Sequence, residues 1–133
     1  MSDCIFCKIA NGEIPSRTVY EDADFRAFLD MGPATKGHTL LVPKAHYANL
    51  FEMPDDLLEK TGKTVKKVAA MMKEKLGAEG FNVVQNNGEL AGQTVFHFHV
   101  HLIPRYTGDS QMIGWKPGKP TDAELDEVLA KLK

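Results

Sequence analysis

Residues 94–103 of this chain read Thr-Val-Phe-His-Phe-His-Val-His-Leu-Ile, a strict alternation that suits a β-strand and no helix. Side chains alternate across a strand, so His97, His99 and His101 share one face and Phe96, Phe98, Val100 and Leu102 the other. The apolar face is a core face. The chain must therefore be built around a sheet that carries three imidazoles in a row, and on a buried surface each of them needs a hydrogen-bond partner. Three such residues step ~6.6 Å apart and span roughly 13 Å, too far for one ion to take all three at ~2.0 Å. Three separate tasks along a line fit better. At the centre of the row a strand carbonyl can hold Nδ1–H and leave Nε2 free to attack a substrate, which makes His99 the candidate nucleophile.

The rest of the chain supplies a sheet for that strand. Arg17–Glu21 and Phe25–Leu29 are β-prone runs joined by Asp22-Ala23-Asp24, a hairpin signal. Residues 31–37 (MGPATKG) form a loop, His38–Val42 a buried strand stopped by Pro43, and Phe81–Gln85 a fourth strand followed by a Gly- and Asn-rich loop over 86–92. Pro104 closes the fifth strand, Thr94–Ile103. Between Pro54 and Leu76 the residues Leu58, Val65, Val68, Ala69, Met72 and Leu76 recur at helical steps, with Asp55 and Asp56 in the first turn and Gly77 placed to end the helix. Met71 and Met72 read as core and flank at helical spacing. Residues 106–120 are irregular and hold Trp115, and a short helix over Thr121–Lys133 opens on a Thr121/Glu124 capping box. Strands without strict βα alternation indicate an α+β fold: a largely antiparallel five-stranded sheet, one long helix and a short C-terminal helix.

At 133 residues the chain is sized for a single domain, 1–133, with a core over about 3–106 and an extension over 107–133. Sixteen basic against 18 acidic side chains leave a formal charge of -2, which removes any general drive toward nucleic acid or an anionic membrane. An anionic ligand must be held by local donors. The chain carries no P-loop and no Gly-rich dinucleotide fingerprint, so the usual backbone nests for phosphate are missing. No carboxylate in a D-x-D arrangement points to two-metal hydrolysis, Asp22-Ala23-Asp24 reading as a hairpin turn, so no obligatory Mg²⁺ is expected in the chemical step. The N-terminal stretch MSDCIFCKIA has neither the basic region nor the apolar core of a leader, and the expected location is cytoplasmic.

The two cysteines, Cys4 and Cys7, form a C-x-x-C. That spacing suits one metal ion, with two more ligands supplied from elsewhere, or one redox pair. Free thiols are the third alternative. The pair precedes no βαβ pattern and opens no evident helix, which counts against redox chemistry.

The string from His97 to Ile103 has the form His-φ-His-φ-His-φ-φ. Preceded by Gly92-Gln93-Thr94-Val95 and, earlier, by the block from Lys36 to Lys44 (KGHTLLVPK), it resembles the signature of the histidine triad (HIT) family of nucleotide hydrolases and transferases. The resemblance covers about residues 3–106 and points to the cysteine-containing, zinc-binding, bacterial-type branch. It implies a purine nucleotide bound with its α-phosphate against the triad, attack by His99, a nucleotidyl-histidine intermediate and release of the monophosphate by water. By the same resemblance His101 binds the phosphate, and His38 lies near it. Asn86, Gln93 and Thr94 contact phosphate or leaving group, Asp30 accepts the ribose hydroxyls, and Phe6, Ile9, Ile14 and Phe28 grip the base. It further implies that His46 and His97 join Cys4 and Cys7 around a structural Zn²⁺, and that the protein is a homodimer. The segment Gln111-Met112 with Trp115 resembles one that reaches the partner's active site in some members.

Two questions stay open at this point. Asn86 resembles the nucleoside-phosphoramidate branch, whereas the run from His101 to Arg105 leans toward dinucleoside polyphosphates. A different class of reading is a zinc-stabilised nucleotide-binding or sensing module without turnover, against which an intact His99 stands.

Overall fold

The computed structural model describes residues 3–133; residues 1 and 2, part of the stretch read as lacking a leader, lie outside the described residues. Strands β1 (Thr18–Glu21), β2 (Phe25–Leu29), β3 (Thr39–Pro43), β4 (Gly80–Val84) and β5 (Val100–Arg105) form one antiparallel sheet in the order β1-β2-β3-β5-β4. The tight β1–β2 turn is closed by Asp22, whose Oδ1 accepts from the backbone N–H groups of Asp24 and Phe25 at 2.8 Å each. Short aspartates favour such turns because the carboxylate satisfies local backbone donors.

Register sorts the side chains onto two faces. Ala27, Leu41 and Val100 lie opposite one another, and so do Phe28, Leu40 and His101 one step along. The first face packs under α2 (Asp55–Leu76) through Phe25, Ala27, Leu41, Val68, Met72, Phe98, Val100 and Leu102. Burying each large apolar side chain there is worth roughly 1.5–3 kcal/mol. The helix begins after Pro54, carries the expected acids in its first turn and ends on Gly77 at φ 70°, a left-handed conformation that glycine adopts without strain. Thr61 and Thr64 are buried in it by returning their hydroxyls to the carbonyls four residues back, both at 2.8 Å.

The second face is covered by α1 (Ile5–Ala10), whose Phe6, Ile9 and Ala10 pack on Phe28, Leu40 and Val42. This helix corrects the reading that the cysteine pair opens none. Cys4 is its N-cap, with Sγ accepting from the Cys7 N–H at 3.3 Å. Six residues are too few for a helical period to stand out.

The fifth strand also differs from the alternation. It begins at Val100 and runs through Pro104 to Arg105, so His97 and His99 sit in an irregular approach to it. The ladder with β3 ends because Pro43 has no N–H and its carbonyl is taken by the His97 ring at 2.9 Å. Phe98 N–H is diverted to Tyr47 O. Pairing with β3 covers residues 100–102 only, so at Pro104 one side of β5 has no ladder neighbour and the missing N–H costs nothing. In the irregular approach Phe96 leaves the core face and is half-exposed, and His97 is fully buried.

Beyond Asp109 the chain leaves the sheet. Every side chain from Ser110 to Lys133 is exposed, including the apolar Leu125, Val128, Leu129 and Leu132 of α3 (Asp122–Leu132). The Thr121/Glu124 capping box is formed. Among the described residues no helix is long and apolar enough to cross a membrane.

Candidate functional site

The histidines fall into two groups separated by the 97–99 step. At one corner Cys4 Sγ, Cys7 Sγ, His46 Nδ1 and His97 Nδ1 lie within 4.8 Å of one another. Cys4 Sγ is 3.4 Å from His97 Nδ1, Cys7 Sγ is 3.3 Å from His46 Nδ1, and the two Nδ1 atoms are 3.2 Å apart. Tetrahedral Zn²⁺ with bonds of ~2.0 Å to nitrogen and ~2.3 Å to sulfur sets ligand atoms about 3.3–3.8 Å apart. The donors fit that ion. His97 Nε2 donates to Pro43 O, so its Nδ1 presents a lone pair to the cluster, the outer hydrogen bond that orients a metal-binding imidazole. The ion would be closed on all four sides by these ligands and would tie α1 to the approach of β5.

Next along the chain, His99 turns its Nδ1–H to the His97 carbonyl at 2.7 Å. Its other nitrogen is left as an acceptor. The tautomer follows from the partner, because a carbonyl can only accept. His99 lines a cavity of about 380 Å³ together with Phe6, Ile9, Ile14, Phe28, Asp30, Thr94 and His101. Phe6 stands edge-on to His99 with ring centroids 5.0 Å apart. Burial among these groups holds the His99 pKa below its ordinary value despite the bond to the His97 carbonyl.

His38 and His101 form a second pair. The Ala34 N–H donates to His38 Nδ1 at 2.9 Å, which leaves the proton of the neutral ring on Nε2. That proton points at His101 Nδ1, 2.9 Å away, so His101 in turn carries its own proton on Nε2. Asp30 Oδ2 lies 3.5 Å from His38 Nε2, and its Oδ1 accepts from Gly32 N–H at 2.8 Å. Burial lowers both pKa values, that of His101 to about 4, against the opposing pull of Asp30. Asp30, His38 and His101 also cluster tightly enough for a cation. A metal on His38 Nε2 would have to displace a proton that the Ala34 amide keeps there, so the chain of donors fits a hydrogen-bond relay better.

The cavity thus brings together eight of the residues expected around a nucleotide. His38 is set behind His101 and does not line it. Gln93 is elsewhere engaged: it is fully buried, accepts from Gly88 N–H at 2.8 Å and donates to Ala48 O and Val95 O at 2.7 and 3.1 Å. It builds the loop that Thr94 leaves. Asn86 is half-buried beside Gly92, outside the cavity wall. Arg17, Ser16, Val95 and Met31 line the cavity without having been singled out from sequence. Arg17 gets there because Leu29 N–H donates to its carbonyl across the hairpin, and a run read only as a strand carried no signal for that.

The HIT domain family profile matches residues 11–108. An uncharacterized HIT-like protein of Methanocaldococcus jannaschii is 55% identical over 130 residues, 98% of each chain. The adenosine 5'-monophosphoramidase of Saccharomyces cerevisiae is 43% identical over 136 residues, 98% of this chain and 83% of that one. A Streptococcus mutans structure superposes with a TM-score of 0.93 at 44% identity, covering 99% of this chain and 84% of that one. A zinc-bound histidine triad family protein of Mycobacterium smegmatis superposes with a TM-score of 0.80 at 36% identity, covering 98% and 96%. With the row of three histidines, the cavity that His99 and His101 line and relatives matched over most of their length, the chain belongs to the histidine triad (HIT) family.

Proposed function

We propose that the protein is a nucleotide hydrolase that cleaves at the α-phosphate of a purine nucleotide, a nucleoside phosphoramidate in the first place, through a nucleotidyl-histidine on His99. The observation that carries this reading is the His99 Nδ1–H bond to the His97 carbonyl, which leaves Nε2 as a lone pair in a cavity that also holds a donor, His101. His99 Nε2 forms a bond to phosphorus as the bond to the leaving amine breaks, and the amine nitrogen takes a proton from solvent as it departs. Positive charge gathering on the His99 ring is met by the His97 carbonyl, and His101 Nε2–H donates to a non-bridging oxygen. Water then attacks phosphorus, the P–N bond breaks, and the nucleoside monophosphate leaves with His99 restored.

Phe6, Ile9, Ile14 and Phe28 form an apolar slot suited to the base, and Asp30 at its edge is the acceptor for the two ribose hydroxyls. Thr94 faces the phosphate end, and Asn86 the side where the leaving group exits. Gln93 contributes by holding that loop. Zn²⁺ on Cys4, Cys7, His46 and His97 is structural: with four protein ligands it offers no open position, and it fixes the approach that carries His99. The domain core spans about 3–106, and the exposed apolar stripe of α3 with Met112 and Trp115 supports a homodimer; the location proposed for it is the cytoplasm. Support for the phosphoramidate over a dinucleoside polyphosphate comes from Asn86 and from the phosphoramidase activity named for the yeast relative. Comparing kcat/KM on adenosine 5'-monophosphoramidate and a diadenosine polyphosphate tests it. The first should exceed the second by at least about tenfold, and nucleotide binding without turnover of either would make the protein a binding module instead.

A further inference from the structure

The His38–His101 pair depends on a loop that no other part of the site explains. Residues 31–37 leave β2 and return at β3, and their Ala34 N–H is the group that fixes His38 Nδ1 as an acceptor. Two side chains fasten this loop to the far end of β5. Thr35 is buried and donates its hydroxyl to Pro104 O at 2.6 Å, and the Tyr106 hydroxyl donates to Lys36 O at 2.6 Å. His38 N–H closes the turn on Thr35 O at 3.1 Å. Gly37 completes it at φ 92°, where a Cβ would stand 2.5 Å from Leu76 Cδ1 at the end of α2. Glycine alone passes there.

Titratable groups meet His38 from two elements, Asp30 at the end of β2 and His101 on β5. The Asp30 carboxylate by itself favours a doubly protonated His38. An N–H held against Nδ1 opposes it, because the imidazolium needs a proton at that same nitrogen. We propose that Thr35 and Tyr106 are positioning residues that clasp the 31–37 loop to β5, so that the Ala34 amide keeps His38 neutral and His101 presents its proton to the substrate phosphate. The geometry makes the clasp specific. Neither side chain lines the cavity, and each reaches the site only through the loop backbone.

The proposal rests on the hydrolase reading for its consequence in catalysis, but not for its first readout. Nitrogen-15 spectra of the full-length, zinc-loaded protein report the protonation of His38 Nδ1 without any substrate. In Thr35→Val, close in volume and unable to donate, the midpoint at which His38 takes a second proton should rise by about one pH unit, a tenfold change in proton affinity. Thr35→Ser should restore it, and Tyr106→Phe should move it in the same direction by less. With adenosine 5'-monophosphoramidate, kcat of Thr35→Val should fall about tenfold while KM changes less than about threefold. A His38 midpoint unchanged in both Thr35→Val and Tyr106→Phe overturns the clasp, whatever the rates do. A shifted midpoint in a protein that hydrolyses no nucleotide keeps the clasp and overturns the hydrolase reading alone.

Discussion

The Cys4–Cys7–His46–His97 corner and the cavity beside it use the same side chain, on the same stretch of chain, to opposite ends. His97 hands its proton to a carbonyl through Nε2 and shows the thiols a lone pair. His101 accepts a hydrogen bond at Nδ1 and shows the cavity an N–H. Between them His99 donates a hydrogen bond from Nδ1 to a carbonyl and keeps a lone pair at Nε2. The difference teaches that a neutral imidazole is a donor or an acceptor according to what its hidden nitrogen meets. In all three rings that choice traces to the backbone, at Pro43, His97 and Ala34.

The sharpest way to break the comparison is to remove the ring between the two regions. His99→Ala should lower kcat by at least about a thousandfold, about 4 kcal/mol, with nucleotide binding still measurable by calorimetry. Retention of a tenth of the rate would return the nucleophile to another residue. At the metal corner, Cys4→Ala should abolish a zinc content of about one ion per chain. It should cost about 3 kcal/mol of stability, on the order of 10 °C in Tm, with a smaller proportional loss in kcat. Metal analysis beside thermal unfolding decides it, and a stable but inactive variant would reopen redox chemistry, which the helix that follows Cys4 no longer argues against.

The two regions should also separate in acid. Burial lowers the folded pKa of His101 to about 4, below the ~6.5 of an unfolded chain. The unfolded state therefore binds more protons between those values, so this contribution to stability is present above about pH 6.5 and is lost as pH falls toward 4. Urea unfolding at pH 7 and pH 5 should show wild type losing more than His101→Asn over that interval, by about 1–2 kcal/mol. Equal losses would assign the acid sensitivity to other groups, the buried His38 and His99 among them. The smallest expected effect is at the sugar. Asp30→Asn should reduce discrimination between ribo- and 2'-deoxyribonucleotide about tenfold, because an amide cannot accept two charge-assisted bonds from vicinal hydroxyls. Equal weakening of both sugars would leave Asp30 as the residue that caps the Gly32 turn.

Strand and helix positions followed closely from pattern where an element is long or paired on both sides. Phe25–Leu29 and the helix to Leu76 are as their periodicities indicated. The alternation over 94–103 misled at its first half, since alternation reports which side chains are buried and not whether a ladder partner exists. His97 and His99 are buried as a strand face would bury them, but Pro43 offers no N–H for pairing. Gln93 shows the same limit: an amide in a phosphate-facing motif was read as a contact, and it is spent on three backbone groups.

From sequence alone came the histidine row, the cysteine spacing, the long helix and the family likeness, because each is a local pattern set by the geometry of a single element. Which imidazole nitrogen carries the proton, that Cys4 caps a helix, that Arg17 reaches the cavity and that Thr35 and Tyr106 fasten the loop behind His38 were decided by the tertiary structure. The Thr35–Pro104 and Tyr106–Lys36 contacts join residues 69 and 70 positions apart, and the packing of β3 against β5 brings them within hydrogen-bond reach; the Cys7–Cys4, His99–His97 and Ala34–His38 bonds are short-range, but their geometry is set by backbone turns that no residue pattern announces.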